Sequence, residues 1–248
     1  MSGLATLIAA NIRNSYRLKV AVFLMLGLSV LLIAGLIALV CVLVILPQVR
    51  SPSPSTAEVT RYLGLIVYGS GLLAMGMNLN VFTANNLVKE KTQRLFESIL
   101  AGPVEARTLW LAKSLAVFIP GFVLCEVFAI VSLVAVNSLF VTPRIGFLAP
   151  AAMIFNGLAL VPILYFPLCC LVLLVGLSAN PISGNVIANV AFSVLVTLVI
   201  NLVARAGLDV GSSAFALAHF ALAGGVGLLV LVLQPRLTKE RIVLSSRT

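Results

Sequence analysis

Charged residues are scarce in this sequence. Only 9% of its 248 residues are Asp, Glu, Lys or Arg, while 61% are hydrophobic and the mean hydropathy is +1.19. Soluble globular domains carry about 25% charged residues. Long uncharged runs recur along the chain, and about twenty apolar residues in a helix cross the roughly 30 Å hydrocarbon core of a bilayer. The composition therefore excludes a soluble globule and predicts an all-α integral membrane protein.

Groups that bind metals or perform catalysis are also few. The chain has one histidine, His219, and its four cysteines all lie in hydrophobic runs: Cys41, Cys125, Cys169 and Cys170. A zinc site needs several ligands at close spacing, and an enzyme needs a nucleophile with its base or paired carboxylates. We therefore expect no metal site, no catalytic residue and no enzyme activity in this chain, with the cysteines serving as small packing residues.

Six hydrophobic runs divide the chain. The uncharged stretch between Ile145 and Ala204 is too long for one crossing, and LSANPISGN splits it because Pro181 and its polar neighbours favour a turn. We predict a single transmembrane domain over 1–248. Its parts are an amphipathic helix at 1–19, spans at 20–46, 62–84, 114–140, 149–177, 185–204 and 213–234, a cytoplasmic loop at 85–113 and a basic tail at 235–248.

The distribution of Lys and Arg predicts the orientation. Six spans place both termini and the loop 85–113 on one side, and that side holds twelve of the sixteen basic residues. Because basic loops stay in the cytoplasm, we expect both termini to be cytoplasmic. The net charge of +9 then reflects topology, and no nucleic-acid partner is needed to explain it.

The segment before the first span has helical periodicity. One face carries Leu4, Leu7, Ile8, Ile12 and Tyr16, and the opposite face carries Asn11, Asn14 and Arg17. An amphipathic helix of this kind is predicted to lie along the cytoplasmic surface of the membrane, in contact with lipid.

The loop 85–113 concentrates the charge that the spans lack. Residues 88–114 contain eight charged side chains of both signs. An apolar stripe at helical spacing runs among them, formed by Leu95, Phe96, Ile99 and Leu100. A loop that only joins two helices needs few residues, so this one is predicted to dock a soluble partner. A merely solvated polar face is the alternative for its charges.

The stretch EKTQRLFESILAGPVEARTLWLAK resembles the cytoplasmic loop that follows the second span of ABC-2 type transporter permeases. The family pattern falls on Glu90, Lys91, Arg94, Glu97, Ile99, Leu100, Pro103 and Lys113. The form Arg94-Leu95-Phe96-Glu97 is similar to the branch that includes sodium-efflux and drug-efflux permeases. That branch commonly carries a large extracellular insert after the first span, where this chain has only about fifteen residues.

The resemblance implies a half-transporter in the cell membrane. Two six-span subunits, identical or different, would pair around a pathway and export a hydrophobic or amphiphilic cargo. Each would dock a separate ABC ATP-binding subunit through the loop, with residues 90–103 making the contact. ATP and Mg would sit on that partner, which agrees with the lack of a GxxxxGK[ST] phosphate loop in the chain.

Glu126 and His219 are the candidates for substrate contact or gating within the spans. Glu126 stands twelve residues into the third span, about 18 Å along the helix. An isolated carboxylate in lipid costs on the order of 3 kcal/mol, so it is expected to face protein or water, or to be protonated. The structural alternative is a hydrogen bond from another polar side chain, for which the candidates are Asn137, Asn156 and Asn201.

Other functions remain open at this point. An ATP-independent secondary transporter or channel centred on Glu126 is the main alternative, although the two halves show no clear internal repeat. A membrane scaffold for a signalling partner would use the same docking loop. A stable complex with an ATP-hydrolysing subunit separates the permease from both.

Overall fold

A computed structural model of the chain describes residues 2–15, 19–81, 87–93, 99–102, 104–179, 181–204 and 207–245. Regular structure in these ranges is entirely helical, and no strand occurs among them. The prediction of an all-α protein is therefore confirmed for this part of the chain.

The helices are numbered here in chain order. They are α1 (Ser2–Ser15), α2 (Lys19–Val40, continued by a π-helical turn at Cys41–Ile45 and by Leu46–Arg50), α3 (Thr56–Val81), α4 (Val88–Thr92), α5 (Ala106–Val136, continued by a π-helical turn at Asn137–Val141), α6 (Ala151–Phe155, a π-helical turn at Asn156–Leu160, then Val161–Ser178), α7 (Pro181–Ala204), α8 (Ser213–Leu233, ending in a 3₁₀ turn at Gln234–Arg236) and α9 (Lys239–Leu244).

Long apolar helices make the chain a multi-pass membrane protein. Within the described residues, five helices are long and apolar enough to cross a bilayer: Gly27–Arg50, Thr56–Val81, Ala106–Val141, Ala151–Ser178 and Ser213–Arg236. They overlap five of the six predicted spans. The remaining predicted span, 185–204, falls in α7, where the described stretch Val186–Val199 is a shorter apolar helix.

Helix α3 lies at the centre of the bundle, packed chiefly along α5. Small residues allow the close approach, because a Cβ on Gly71 would stand 2.8 Å from the sulfur of Cys125 in α5. A polar contact joins the same helices to α6. Asn78 Nδ2 donates to the Val117 carbonyl at 2.9 Å and to the Tyr165 hydroxyl at 3.1 Å. These contacts fix the position of α3 relative to α5 and α6.

Helix α2 lies on the outside of the bundle. Phe23 and Leu31 are each 72% exposed, and the helix packs mainly against α3. Its later part joins a small second core in which Cys41, Ile45 and Met153 are buried. In a membrane, the exposed side chains of α2 face lipid or another subunit.

Helix α5 begins earlier than the predicted span 114–140. Its first residue is Ala106, and the following turns are buried, with Leu109 1% and Trp110 3% exposed. The Trp110 indole Nε1 donates to the Cys170 carbonyl at 2.9 Å. The first two turns of α5 therefore belong to the helix bundle, although their charged neighbours suggest a loop in the sequence.

Candidate functional site

Only part of the predicted coupling segment can be described. Arg94, Leu95, Phe96, Glu97 and Pro103 lie outside the described residues. The remaining predicted contact residues are Glu90, Lys91, Ile99 and Leu100. They lie where α1, α4, the start of α5, the end of α6 and α9 meet, which we call the loop end of the bundle.

Lys91 is an interior residue, only 1% exposed. Its Nζ donates to the Ala179 carbonyl at 2.5 Å and to the Ser245 hydroxyl at 2.8 Å. Ala179 directly follows α6, where backbone carbonyls lack helical partners and the helix dipole favours a positive charge. The Ser245 hydroxyl also lies 2.9 Å from the Leu177 carbonyl. Lys91 therefore ties the loop helix α4 to the end of α6 and to the C-terminal helix α9.

Burial makes the protonated form of Lys91 less favourable. Removing the ammonium group from water lowers the pKa of Lys91 from its usual 10.5 to about 8. The side chain is still mainly protonated at neutral pH, so both contacts are donated by a cation. Hydrogen bonds from a charged donor are stronger than neutral ones.

Glu90 points to the opposite side of α4 and forms an ion pair with Lys113 of α5. Lys113 Nζ also donates to Asn11 Oδ1 of α1 at 3.1 Å, and Asn11 Nδ2 donates to the Leu7 carbonyl at 2.8 Å. The sequence places Asn11 on the polar face of the N-terminal helix. In the structure Asn11 is partly buried and is an oxygen acceptor for Lys113.

The C-terminal helix α9 forms a second contact with the loop. Lys239 Nζ donates to the carbonyls of Leu100 at 3.4 Å and Gly102 at 3.3 Å. Leu100 is 6% exposed and belongs to the main core, while Ile99 is partly buried against it. The exposed side chains at the loop end include Lys89, Gln93, Arg107 and Leu244.

The contacts of the tail 235–248 were not predicted from the sequence, although the tail contains a local helix-start pattern. Thr238 caps α9, since its side chain accepts a hydrogen bond from the Arg241 backbone N–H at 3.2 Å. A Thr before a run such as KERIVL is a helix-start pattern. That signal predicts the helix, but it does not predict what the helix contacts.

Glu126 lies on the flank of α5 and is partly buried. Among the residues that the structure describes, it has no hydrogen-bond or ion-pair partner. The polar residues considered as its partners bond elsewhere. Asn137 Nδ2 donates to the Leu133 and Leu148 carbonyls, Asn156 Nδ2 to the Val210 carbonyl, and Asn201 Nδ2 to the Thr197 carbonyl. The expected structural hydrogen bond to Glu126 from these residues is therefore absent from the described part of the chain.

His219 joins α8 to α3. Its Nδ1 lies 3.2 Å from the Tyr68 hydroxyl, and its ring stacks on Phe215 with centroids 6.0 Å apart. At 6% exposure, His219 is enclosed by these aromatic neighbours. Over the described ranges, no three His, Cys, Asp or Glu side chains come close enough to hold a metal ion.

An apolar cleft of about 160 Å³ opens between α2, α3 and α7. Its lining is hydrophobic or glycine apart from Ser70, whose hydroxyl donates to the Val67 carbonyl at 2.9 Å. The cleft includes Ile33 and Leu36 on the outlying helix α2. It suits a hydrocarbon chain or ring system and offers almost nothing to a polar ligand.

No protein-family model, curated protein or solved structure matches the chain.

Proposed function

We propose that this chain is the permease subunit of an ATP-driven exporter of the ABC-2 type. It works as a dimer and moves a hydrophobic or amphiphilic cargo out of the cytoplasm, with ATP hydrolysed on a separate subunit. The proposal rests on the resemblance of the loop sequence. The observation that carries it further is the interlocked loop end, where α4 contacts three neighbouring elements.

Two sets of contacts support six crossings, with α7 as the fifth. Ala179, just before α7, contacts Lys91 at the loop end. Val210, after α7, accepts a hydrogen bond from Asn156 at 2.7 Å, at the opposite end of the bundle. The 24 residues of α7 span about 36 Å as a helix, which is enough to join the two ends. Six crossings put both termini on the side of the basic loop, which is the cytoplasmic side.

The loop end acts as a lever in this proposal. A partner that pulls on α4 displaces α5 through the Glu90–Lys113 ion pair and α6 through the Lys91–Ala179 hydrogen bond. The ATP-binding subunit binds the exposed surface around Lys89 and Arg107. Binding transmits force only if these contacts differ between the ATP-bound and ATP-free states of the partner.

The cargo class follows from the spans. The cleft between α2, α3 and α7 is apolar, and Glu126 is the single carboxylate within the predicted spans. A highly charged cargo would find few partners among these side chains, whereas a hydrophobic or amphiphilic one is compatible with them.

The test is copurification of an ATP-binding subunit from native membranes, detected by photolabelling with an azido-ATP and by ATP hydrolysis. The test variant carries Lys89→Glu with Arg107→Glu, which reverses exposed charge at the loop end. Arg144→Glu is the matched control, because Arg144 is exposed after α5 at the opposite end. We expect the wild type and the control to retain the ATPase and the double variant to lose at least 80% of it.

The opposite result would be intact, folded protein that carries no ATP-hydrolysing subunit in any of the three preparations. The permease proposal then fails, and an ATP-independent transporter or channel centred on Glu126 replaces it. Retention of the ATPase by the double variant, with loss in the control, would contradict the assignment of the docking face.

A further inference from the structure

The exposed face of α5 carries a carboxylate that has no partner among the residues the structure describes. Glu126 makes no hydrogen bond or ion pair within the described ranges. Its neighbours on the same side of the helix are apolar and open to the surroundings, with Val123 54%, Val127 51% and Ile130 47% exposed. Glu126 is about 20 Å along α5 from Lys113 at the loop end, which places it inside the roughly 30 Å hydrocarbon layer, about two thirds of the way across from the loop end.

Aromatic rings precede Glu126 on the same stripe of α5. Phe118 and Phe122 stand eight and four residues before it, and their rings stack with centroids 5.9 Å apart and an interplanar angle of 22°. Phe166 of α6 meets Phe118 edge-on at 5.2 Å. Phe122 is 40% and Phe166 38% exposed, so part of this cluster is open to a ligand. Residues four apart on a helix are neighbours, which puts Glu126 beside Phe122.

The protein itself offers no cation at this depth. Every Lys and Arg of the chain lies outside the six predicted spans. His219 is enclosed by Tyr68 and Phe215 within its own subunit. A second copy of the chain packed on this face would likewise bring no Lys or Arg to Glu126, and a symmetric contact centred there would bring a second carboxylate. Within one subunit, or between two identical subunits, the positive charge that complements an ionised Glu126 therefore comes from a ligand.

We propose that Glu126, Phe118 and Phe122 form a membrane-facing binding site for a hydrophobic monovalent cation. The carboxylate supplies the opposite charge in a medium of low dielectric constant, and the ring faces attract the cation and its apolar substituents. The site deepens the proposed export function and rests on it for any role in transport. Binding itself needs neither ATP nor the partner subunit.

The probe is radiolabelled tetraphenylphosphonium, measured by equilibrium dialysis against the full chain in nanodiscs of zwitterionic lipid, with empty nanodiscs subtracted. The test variants are Glu126→Gln and Phe122→Leu. Glu126→Asp tests whether a shorter carboxylate supports the binding that Glu126→Gln is expected to lose. Glu58→Gln is the matched control, because Glu58 is an exposed acid in the first turn of α3. Tetraphenylborate, an anion of the same shape, separates charge recognition from partition of hydrophobic rings.

We expect Glu126→Gln to weaken binding at least tenfold, Phe122→Leu to weaken it about threefold, and Glu126→Asp to restore most of it, with Glu58→Gln unchanged. Two results overturn the site. One is equal binding of tetraphenylphosphonium by wild type and Glu126→Gln. The other is binding of tetraphenylborate, measured in a separate dialysis, that is as tight as the binding of tetraphenylphosphonium. A third result also overturns the site: the protein does not bind the cation, and a photoreactive residue at position 127 crosslinks two copies of the chain. That result assigns this face of α5 to a dimer contact. Cation binding without any ATPase partner would instead leave this site standing and remove the exporter proposal.

Discussion

Replacement of Lys91 is the sharpest test of the loop end, because this side chain is 1% exposed and holds α4 to α6 and α9. We predict that Lys91→Ala releases α4 and α9 locally while the membrane helices stay folded. Lys91→Met keeps most of the buried side-chain volume and removes only the polar contacts, so the pair separates packing from hydrogen bonding. Gln93→Ala is the control, because the Gln93 side chain is exposed directly after the same short helix.

The expected magnitude follows from three contributions. Two hydrogen bonds from a charged donor contribute about 1.5–3 kcal/mol each. Burial of the charge opposes them by about 3 kcal/mol, since lowering the pKa from 10.5 to about 8 is about 2.5 units at 1.36 kcal/mol per unit. The loss for Lys91→Met is therefore about 0–3 kcal/mol. Lys91→Ala adds about 2 kcal/mol for lost buried methylenes, for a loss of about 2–5 kcal/mol.

Hydrogen–deuterium exchange of the protein in nanodiscs measures this opening directly. Because 1.4 kcal/mol changes an equilibrium tenfold, Lys91→Ala is expected to speed exchange of segments 87–93 and 239–245 at least tenfold. Lys91→Met should have a smaller effect, and Gln93→Ala should match the wild type. Exchange of both segments within twofold of wild type in Lys91→Ala would refute the tether.

Two further predictions concern the pH dependence of the Lys91 contacts and the packing of α3 on α5. The pKa of Lys91 is lower in the closed loop end than in water, so the open form binds more protons between about pH 8 and 10.5. The tether should therefore strengthen as the pH rises through that window in wild type but not in Lys91→Met, measured as exchange corrected for its intrinsic pH dependence. A Cβ on Gly121 would stand 2.7 Å from Asn78 Nδ2 and 2.9 Å from the Tyr165 hydroxyl, whereas one on Gly69 meets nothing within 4 Å. Gly121→Ala should lose about 1–3 kcal/mol of stability by overpacking, and Gly69→Ala should keep or raise the melting temperature; equal melting temperatures would contradict the packing of α3 on α5.

The hydrophobic runs predict the five long apolar helices, because burial in lipid requires only length and apolar composition. The first and last residues of the helices are harder to predict from the sequence. The sequence assigns 106–113 to the loop since Arg107 and Lys113 are charged, yet α5 starts at Ala106. Lys113 can be buried because Glu90 forms an ion pair with its ammonium group and Asn11 Oδ1 accepts a hydrogen bond from it. A local pattern cannot reveal a partner that stands 23 or 102 residues away.

The tether could not be predicted from the sequence for the same reason. Lys91 meets Ala179 and Ser245, which lie 88 and 154 residues further along the chain. Sequence reasoning treats Lys91 as a charge on the docking surface, because exposed Lys is the ordinary case. Only the folded arrangement turns it inward. In the proposed function, we therefore assign the contact surface for the ATP-binding subunit to exposed neighbours such as Lys89 and not to Lys91, which the family pattern includes.

Helix α5 carries a buried basic group that has partners and an acidic group that has none in the described part of the chain, and the contrast bears on function. Lys113, at the loop end, is buried and fully engaged by Glu90 and Asn11. Glu126, thirteen residues and about 20 Å further along, has no such partner in the described part of the chain. A protein that neutralises one charge on a helix and leaves another open in the membrane retains the second against a substantial solvation cost. One continuous helix carries both groups, with Pro120 between them. A displacement of the whole helix that enters at Lys113 therefore also moves the backbone of Glu126.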